Sequence, residues 1–456
     1  MKTYQDLLAL GENEKRRREF VREVVNDHRG SEAYKTAKAA EAYYARQNVT
    51  MNQYRKVIRD VMGQAHEDVF SANYKLTSGF FRRFVLQQTQ YVLSNGVTFE
   101  KDAKETLGAD FDSKLSRLAK KALVAGVAFG FWNFDHLEVF GLADTDKEPG
   151  FAPLYDDETG KLCAGVRYWS PSGSETMRYT LYEIDGITEY IHRKHEDITV
   201  LKEKAAYVRT TVTTERGGVE EETGVNYPGF PIIPMYANDI RESELVGIRS
   251  SIDCYDFIKS GMANNVDEAS AFYWTLKNTG GMDDMDLQRF VERMKVVKAA
   301  VLDDGVEAQA HTISVPVDAN EKLLDRLRAD LYEDVMLMDV QKALSGNMTA
   351  TAIRLAYQPQ DDKCGDFEFY IRDFIATLLK LLGIEDEPSF RWNRIANQTE
   401  ETQMVMSASA ELGTELTLKK LPFLTPEEVE QRMKEIAAED DARFNNPPVN
   451  NPFVEE

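Results

Sequence analysis

Phe230-Pro231-Ile232-Ile233-Pro234-Met235-Tyr236 is the stretch on which the fold turns. Its apolar side chains favour burial, while the two prolines remove backbone donors and forbid a helix, so the segment is extended and marks a boundary. The hydrophobic period differs on its two sides. Upstream, from Phe129 to Val225, lie the alternating β-branched and aromatic runs Gly165 to Trp169, Met177 to Ile184, Thr188 to His192 and Ala206 to Thr214. Asp156-Asp157, Pro171-Ser172-Gly173, Asp185-Gly186 and Gly217-Gly218 punctuate them, which predicts a meandering antiparallel sheet. Downstream, Ser243 to Tyr273 carries Leu245, Ile248, Ile252, Tyr255, Met262, Val266, Ala269 and Tyr273 at spacings built from threes and fours. That pattern predicts an amphipathic rod of roughly 45 Å at ~1.5 Å per residue.

Gly280-Gly281 and the acidic patch Asp283, Asp284, Asp286 end the rod. A short helix to Met294 and strand-like Val296 to Leu302 and Thr312 to Val317 then read as a small α/β module. Ala319 to Met338 is helical again, with Leu323, Leu324, Leu327, Leu331, Val335 and Met338 on one stripe and Asp325, Arg326, Ala329 and Glu333 opposite. Two rods bracketing a small module describe an out-and-back excursion from the main body. After the flexible break Ser345-Gly346-Asn347-Met348, one helix runs from Thr349 towards Tyr357 and another from Asp366 to Leu382. Pro359 and Gly365 between them predict a kink or interruption. Thr3 to Asn26, Tyr74 to Leu93, Asp110 to Ala128, Gln398 to Leu412 and Thr425 to Ala438 are also expected to be helical, Phe390 to Ile395 a strand, and Asn445 to Glu456 a disordered tail.

The chain has 456 residues, enough for about three units of ~150 residues. An apolar fraction of 43% fills real cores, and a charged fraction of 29% with mean hydropathy −0.45 describes a wetted surface. The uncharged run Ala122 to Phe134 falls short of the ~20 apolar residues of a membrane span, so no membrane association or secretion is expected. A net charge of −22 argues against a broad grip on nucleic acid, which draws on Lys and Arg displacing counterions. The basic run Lys15 to Arg18, interrupted by Glu12, Glu14 and Glu19, reads as a solvated helix face. Cys163, Cys254 and Cys364 lack paired spacings, which points to a reducing compartment.

The chain has no phosphate-binding glycine loop, and Gly126 with Gly130 lacks the three-glycine dinucleotide pattern. His192 and His195 are the closest histidines, but their odd separation on a strand places them on opposite faces. Asp283/Asp284/Asp286, Asp303/Asp304 and Asp361/Asp362 could hold two metals for phosphodiester cleavage. Each also sits beside glycine or in a predicted turn, where Asp stabilises local backbone. A non-enzymatic protein without cofactor, metal or catalytic residue is therefore the leading expectation. A rival is a metal-dependent nuclease built on the Asp clusters.

Phe230 through Asn238, followed by Ser251-Ile252-Asp253-Cys254-Tyr255-Asp256 and Ser260-Gly261-Met262-Ala263-Asn264-Asn265-Val266, resembles the proline-bounded strand and first stem helix of tailed-bacteriophage portal proteins, the head-tail connector family. Ser345-Gly346-Asn347 through Ile353-Arg354-Leu355 resembles their tunnel loop and the helix after it. Tyr43-Tyr44 and Asn73-Tyr74-Lys75 to Asn95-Gly96 fit the same family, so the likeness runs over residues 30 to 385. It implies an α+β portal-type fold with long stem helices, an antiparallel β-rich wing, a small α/β clip and a helical crown. On this chain those become a wing with N-terminal helices over 1–240, stem helices over 241–273 and 319–338, and a clip over 274–318. Tunnel loop and wing helices take 339–383, the crown 384–444 and the tail 445–456.

The resemblance also implies a homo-oligomeric ring, usually of twelve subunits, at one capsid vertex of the virion, assembled in the bacterial host cytoplasm. Such a ring conducts double-stranded DNA during packaging and ejection. Its implied partners are the terminase motor, the major capsid and scaffolding proteins and the head-completion or adaptor proteins. Lys342, Ser345, Gly346, Asn347, Met348 and Thr349 would form the tunnel loop, with Lys342 either touching phosphate in passing or simply solvated at a helix end. Asp325, Arg326 and Glu333 would face the channel or a neighbouring subunit. An acidic ring with few basic positions lets a long polyanion slide without a brake. The further alternative is a virion interaction protein without a channel.

Overall fold

The computed structural model describes residues 2–59, 62–67, 72–171, 174–213, 219–269, 273–277, 283, 285–286, 307–311, 317–341, 350–393, 398–421, 424 and 426–445. They fall into two compact units, Met1–Asp339 with Pro359–Trp392, and Val340–Gln358 with Asn393–Glu456.

The first unit opens with α1 (Tyr4–Leu8) and α2 (Glu14–Gly30). Thr3 to Asn26 is therefore two helices. Gly11 at φ +53° turns the chain, and Asn13 Oδ1 accepts the Arg16 amide at 3.2 Å to start the second. Ser31 caps α3 (Glu32–Tyr44) through the Tyr34 amide at 3.2 Å, and α4 (Val49–Gln53) follows. Strands β1 (Val57–Arg59) and β2 (Ala65–Glu67) pair antiparallel before α5 (Phe80–Leu93), β3 (Val97–Phe99), α6 (Ala103–Leu107) and α7 (Phe111–Ala125). Gly126, at φ +87°, closes α7 in the left-handed region, and a Cβ there would lie 2.5 Å from the Arg241 carbonyl oxygen.

The chain then meanders through β4 (Val127–Asn133), β5 (His136–Gly141), β6 (Gly150–Tyr155), β7 (Leu162–Trp169), β8 (Met177–Glu183), β9 (Gly186–His192) and β10 (Thr199–Ala205). These strands are neighbours in sequence order, antiparallel except for one parallel pairing of Gly141 with Gly150. His195 lies beyond β9 in a turn at φ +64°, so the expected two-faced strand pair does not form. A separate hairpin, β11 (Val208–Thr213) with β12 (Val219–Val225), precedes β13 (Ile232–Tyr236). The proline-bounded segment does more than mark a boundary: β13 joins the sheet as an eighth strand beside β4, with Pro234 opposite Phe129. An edge strand tolerates proline because one row of its backbone groups needs no sheet partner.

Both sheet faces are covered. Phe20, Val21, Val24 and Val25 of α2 pack with Ala152, Leu154, Val166, Tyr168, Leu181 and Tyr190. Phe129, Phe131, Phe140, Phe151, Tyr182 and Ile232 form a second cluster with Ala37. Adjacent Phe151 and Ala152 fall in different clusters, as strand alternation requires. This explains why β4 and β6 read as nearly continuous apolar runs rather than as strict alternation.

Beyond the sheet, α8 (Arg249–Ala269) leads to β14 (Tyr273–Lys277), and β15 (Glu307–His311) leads to α9 (Val317–Asp334). The strands pair antiparallel, Tyr273 opposite His311, and the two helices pack on one another. The chain thus goes out and comes back. Residues 244–248 are turns, so α8 is a rod of 21 residues, about 31 Å rather than 45 Å. α10 (Ala350–Leu382) runs through Pro359 and Gly365 as one helix where two were expected. β16 (Pro388–Phe390) then pairs with β3. Gly130 of β4 admits α10 closely: a Cβ there would lie 2.5 Å from the Phe374 ring.

In the second unit, α11 (Gln398–Ser407), α12 (Ser409–Lys420) and α13 (Pro426–Asn445) follow in turn, α12 bending at Gly413, φ +72°. Pairs such as Glu415–Lys419 and Glu430–Lys434 lie on exposed faces, where solvent screening leaves them little weight in stability.

Candidate functional site

The out-and-back excursion is held at its base by polar chemistry. Asp256, Ser260 and Asn264 recur every fourth residue on α8 and therefore share one face. Residues 74–79, the start of the expected Tyr74–Leu93 helix, are instead non-helical, and 74–78 run along that face. Asp256 Oδ1 accepts the Ser78 amide at 2.8 Å, Ser260 Oγ the Leu76 amide at 3.0 Å, and Asn264 Oδ1 the Tyr74 amide at 2.7 Å. Four helical residues advance ~6.0 Å and two extended residues ~6.6 Å, so the two periods match. The helix supplies the acceptors that a neighbouring strand would otherwise supply.

All three acceptors are buried. Asp256 also accepts from the Asn48 amide. Burial pushes its carboxyl above the ordinary carboxylate range, against the lowering effect of the Ser78 and Asn48 hydrogen bonds. Asp253, beside it on α8, accepts from Thr50 Oγ1 at 2.7 Å and from the Tyr43 hydroxyl at 2.5 Å. These residues lie in the motifs on which the portal resemblance rests, and their spacing gives the motifs a physical reason. Polar residues at four-residue intervals beside Ile252 were the sequence signal for them.

The returning helix is fixed equally well. Arg328 of α9 donates Nε and Nη2 to Asp339 at 2.8 and 2.9 Å. Tyr332 meets Phe84 edge-on at 5.1 Å, and Gln360 Oε1 accepts the Met338 amide at 3.1 Å and the Gln87 side chain at 3.0 Å. The helix ends at Asp334 rather than at Met338 as expected, so of the stripe Leu331 is buried within α9, Val335 and Met338 are buried beyond it, and Leu323 is exposed. Asp325, Arg326 and Glu333 face solvent, with Arg326 paired to Asp330 at 2.8 Å. Phe257 and Val266 of α8 are likewise exposed. Lys342, Ser345, Gly346, Asn347, Met348 and Thr349 lie outside the described residues.

The acidic clusters separate. Asp283 Oδ1 accepts the Met285 and Asp286 amides at 2.9 Å each, the local turn chemistry of Asp. Asp361 and Asp362 belong to α10 rather than to a turn, and Asp361 accepts from the Tyr91 hydroxyl. Asp284, Asp303 and Asp304 lie outside the described residues. Among the described residues no group of three or more His, Cys, Asp or Glu could hold a metal ion, and no helix is long and apolar enough to cross a membrane. All three cysteines are free. The basic run is not wholly solvated: Arg17 reaches the sheet and ion-pairs with Glu183.

The model of the phage portal protein family of SPP1 Gp6-like type matches residues 25–443. The chain is 24% identical over 444 residues to the portal protein of Bacillus phage SPP1, covering 91% of this chain and 86% of the relative. It is 21% identical over 428 residues to the portal protein of Clostridium phage phiCD119, covering 87% and 90%. A solved chain from the neck of an empty GTA particle superposes with a TM-score of 0.42 at 12% identity, covering 78% of this chain and 90% of that one. On the family match across nearly its whole length, this chain belongs to the phage portal proteins.

Proposed function

We propose that copies of this chain form a closed ring at one capsid vertex of a tailed phage and that the ring conducts double-stranded DNA into the head and out again. The family match over residues 25–443 carries the reading. The helix–hairpin–helix excursion supports it: α8 and α9 are braced at their base by the Asp256–Ser260–Asn264 ladder and by Arg328–Asp339, while exposed surface remains on both helices. In this reading α8 and α9 are the stem, the residues between them the clip, and the β4–β10 and β13 sheet with the N-terminal helices the wing. α11 to α13 make the crown. Asp325, Arg326 and Glu333 face the channel or a neighbouring copy, and the segment from Lys342 to Thr349 is the tunnel loop. The ring, usually of twelve copies in this family, docks a separate terminase motor, capsid and scaffolding proteins, and later the adaptors that complete the head.

The protein acts as a structural conduit rather than an enzyme. A net charge of −22 keeps the grip on passing phosphates weak, which sliding requires. Mass measurement with electron microscopy of the purified protein tests this. An annulus with a hole wide enough for duplex DNA is expected, and monomers under every assembly condition, capsid partners included, would overturn it.

A further inference from the structure

A cleft of about 280 Å³ opens between α3, α7 and the β5–β6 loop. Its walls carry Arg117, Lys120, Lys121 and Lys147 against only Glu41 and Glu148, in a chain with 22 excess acidic charges. Glu148 takes Lys121 at 2.5 Å and Arg117 at 2.6 Å, and Glu41 lies 3.7 Å from Lys121. Lys120 and Lys147 have no acidic partner among the described residues. The Tyr44 ring and Val124 supply an apolar lining. The volume falls below the ~300–1,000 Å³ of small-molecule sites and suits a single side chain.

The same compact unit presents a complement elsewhere. Asp366, Phe369 and Asp373, spaced three and four along α10, share one exposed face. Phe369 is 70% exposed, an aromatic held in water between two carboxylates that have no cationic partner among the described residues. Aromatic anchors that fill a pocket while flanking charges meet at the rim are the usual anatomy of a protein interface. The cleft walls also bear carboxylates, which disfavours a continuous polyanion more than one side chain with two flanking acids.

Neither patch lines the other, and both belong to one compact unit, so they satisfy each other only between molecules. We propose that the cleft of one copy receives Phe369 of the next, with Asp366 and Asp373 meeting Lys120 and Lys147. The two surfaces are different, so the contact is heterologous and repeats head to tail, the arrangement that a closed ring requires. This rests on the ring reading above and adds which surfaces meet.

A charge swap tests it on the full chain. K120E/K147E and D366K/D373K should each lower the assembled fraction about tenfold at a concentration where the wild type forms rings, and Phe369→Ala should weaken assembly without altering the fold. The fourfold swap should restore assembly to within about threefold of wild type. Circular dichroism and thermal unfolding would establish that each variant is folded. Folded double variants that assemble like the wild type, or a folded fourfold swap that does not recover, would overturn the proposal. So would loss of binding to a short DNA duplex in K120E/K147E with assembly unchanged. A wild type that never forms rings would instead overturn the portal reading itself.

Discussion

Asp256→Ala tests the polar ladder most sharply. The substitution removes the acceptor of the Ser78 amide, a part-buried bond of 2.8 Å, and of the buried Asn48 side-chain amide. A buried donor left unsatisfied costs about 1–3 kcal/mol; because the Ser78 bond is part-buried and the Asn48 amide keeps the Ser78 carbonyl oxygen at 3.5 Å, the two losses together should let residues 74–79 come away from α8 about 2–4 kcal/mol more easily. At ~1.4 kcal/mol per tenfold, amide protection at Tyr74, Leu76 and Ser78 should fall about 30- to 1,000-fold, read by hydrogen exchange. Asp256→Asn should cost under ~1 kcal/mol: it keeps an oxygen for Ser78, and Asn48, whose own Oδ1 has no partner, can rotate to accept from the new amide.

The two variants should also differ in pH dependence. Burial raises the folded-state carboxyl of Asp256, so across the window from the ordinary value near ~3.9 up to its raised value the folded chain holds a proton that the unfolded chain has released. Stability from this group falls as pH rises through that window, and the Asn variant should show no such fall. Equal exchange at the three amides in wild type and Asp256→Ala, or an Asn variant as damaged as the Ala variant, would refute the reasoning.

Other outcomes follow from the same geometry. Gly130→Ala would press a methyl against the Phe374 ring and should cost about 1–3 kcal/mol, seen as a lower Tm. Arg328→Ala leaves the partly buried Asp339 without its forked partner and should cost about 2 kcal/mol, read as faster exchange around residues 335–341. His28 is buried with Nε2 at 2.8 Å from the Leu142 carbonyl oxygen, and burial lowers its pKa. Stability should therefore be lost as pH falls below ~6.5, where the unfolded chain protonates first, and His28→Gln should narrow the Tm difference between pH 7 and pH 5. Deleting Ser345 to Met348 should leave assembly intact and abolish DNA packaging, and normal packaging would remove that loop from the mechanism.

Much of the architecture was legible because local and global signals agreed. Asp185-Gly186 turns β8 into β9, and alternation in Met177 to Ile184 and Thr188 to His192 matches the strands found. The spacing from Leu323 to Leu331 marked α9, but the helix stops at Asp334, short of the expected Met338, because Met336 turns the chain at φ +55°; its exposed end shows that periodicity alone does not say what covers a stripe. The failures have tertiary causes. Residues 74–78 lie along α8 rather than in the expected helix because α8 offers acceptors at a matching rise, a partner no window on 74–78 can reveal. Pro359 lies within one helix although it forfeits an internal hydrogen bond, and nearby Gln360 and Cys364 are buried. Pro234 marked an extended segment, but its place at the sheet edge depended on β4, a hundred residues earlier.

The candidate site was legible in part. The motifs carrying the portal resemblance contain Asp253, Asp256, Ser260 and Asn264, and the structure gives each of them hydrogen-bonded work. Their role was hidden because a buried polar face on a helix reads in sequence as a solvated one. The Lys120/Lys147 cleft was hidden for a different reason: α7 and the β5–β6 loop are brought together only by the sheet.

A three-dimensional reconstruction of the assembled wild-type particle tests the central claim most directly. Adjacent copies should stand with their α8–α9 pairs side by side around an open bore that admits duplex DNA. Assemblies in which those pairs point away from the symmetry axis, or in which no bore exists, would contradict it.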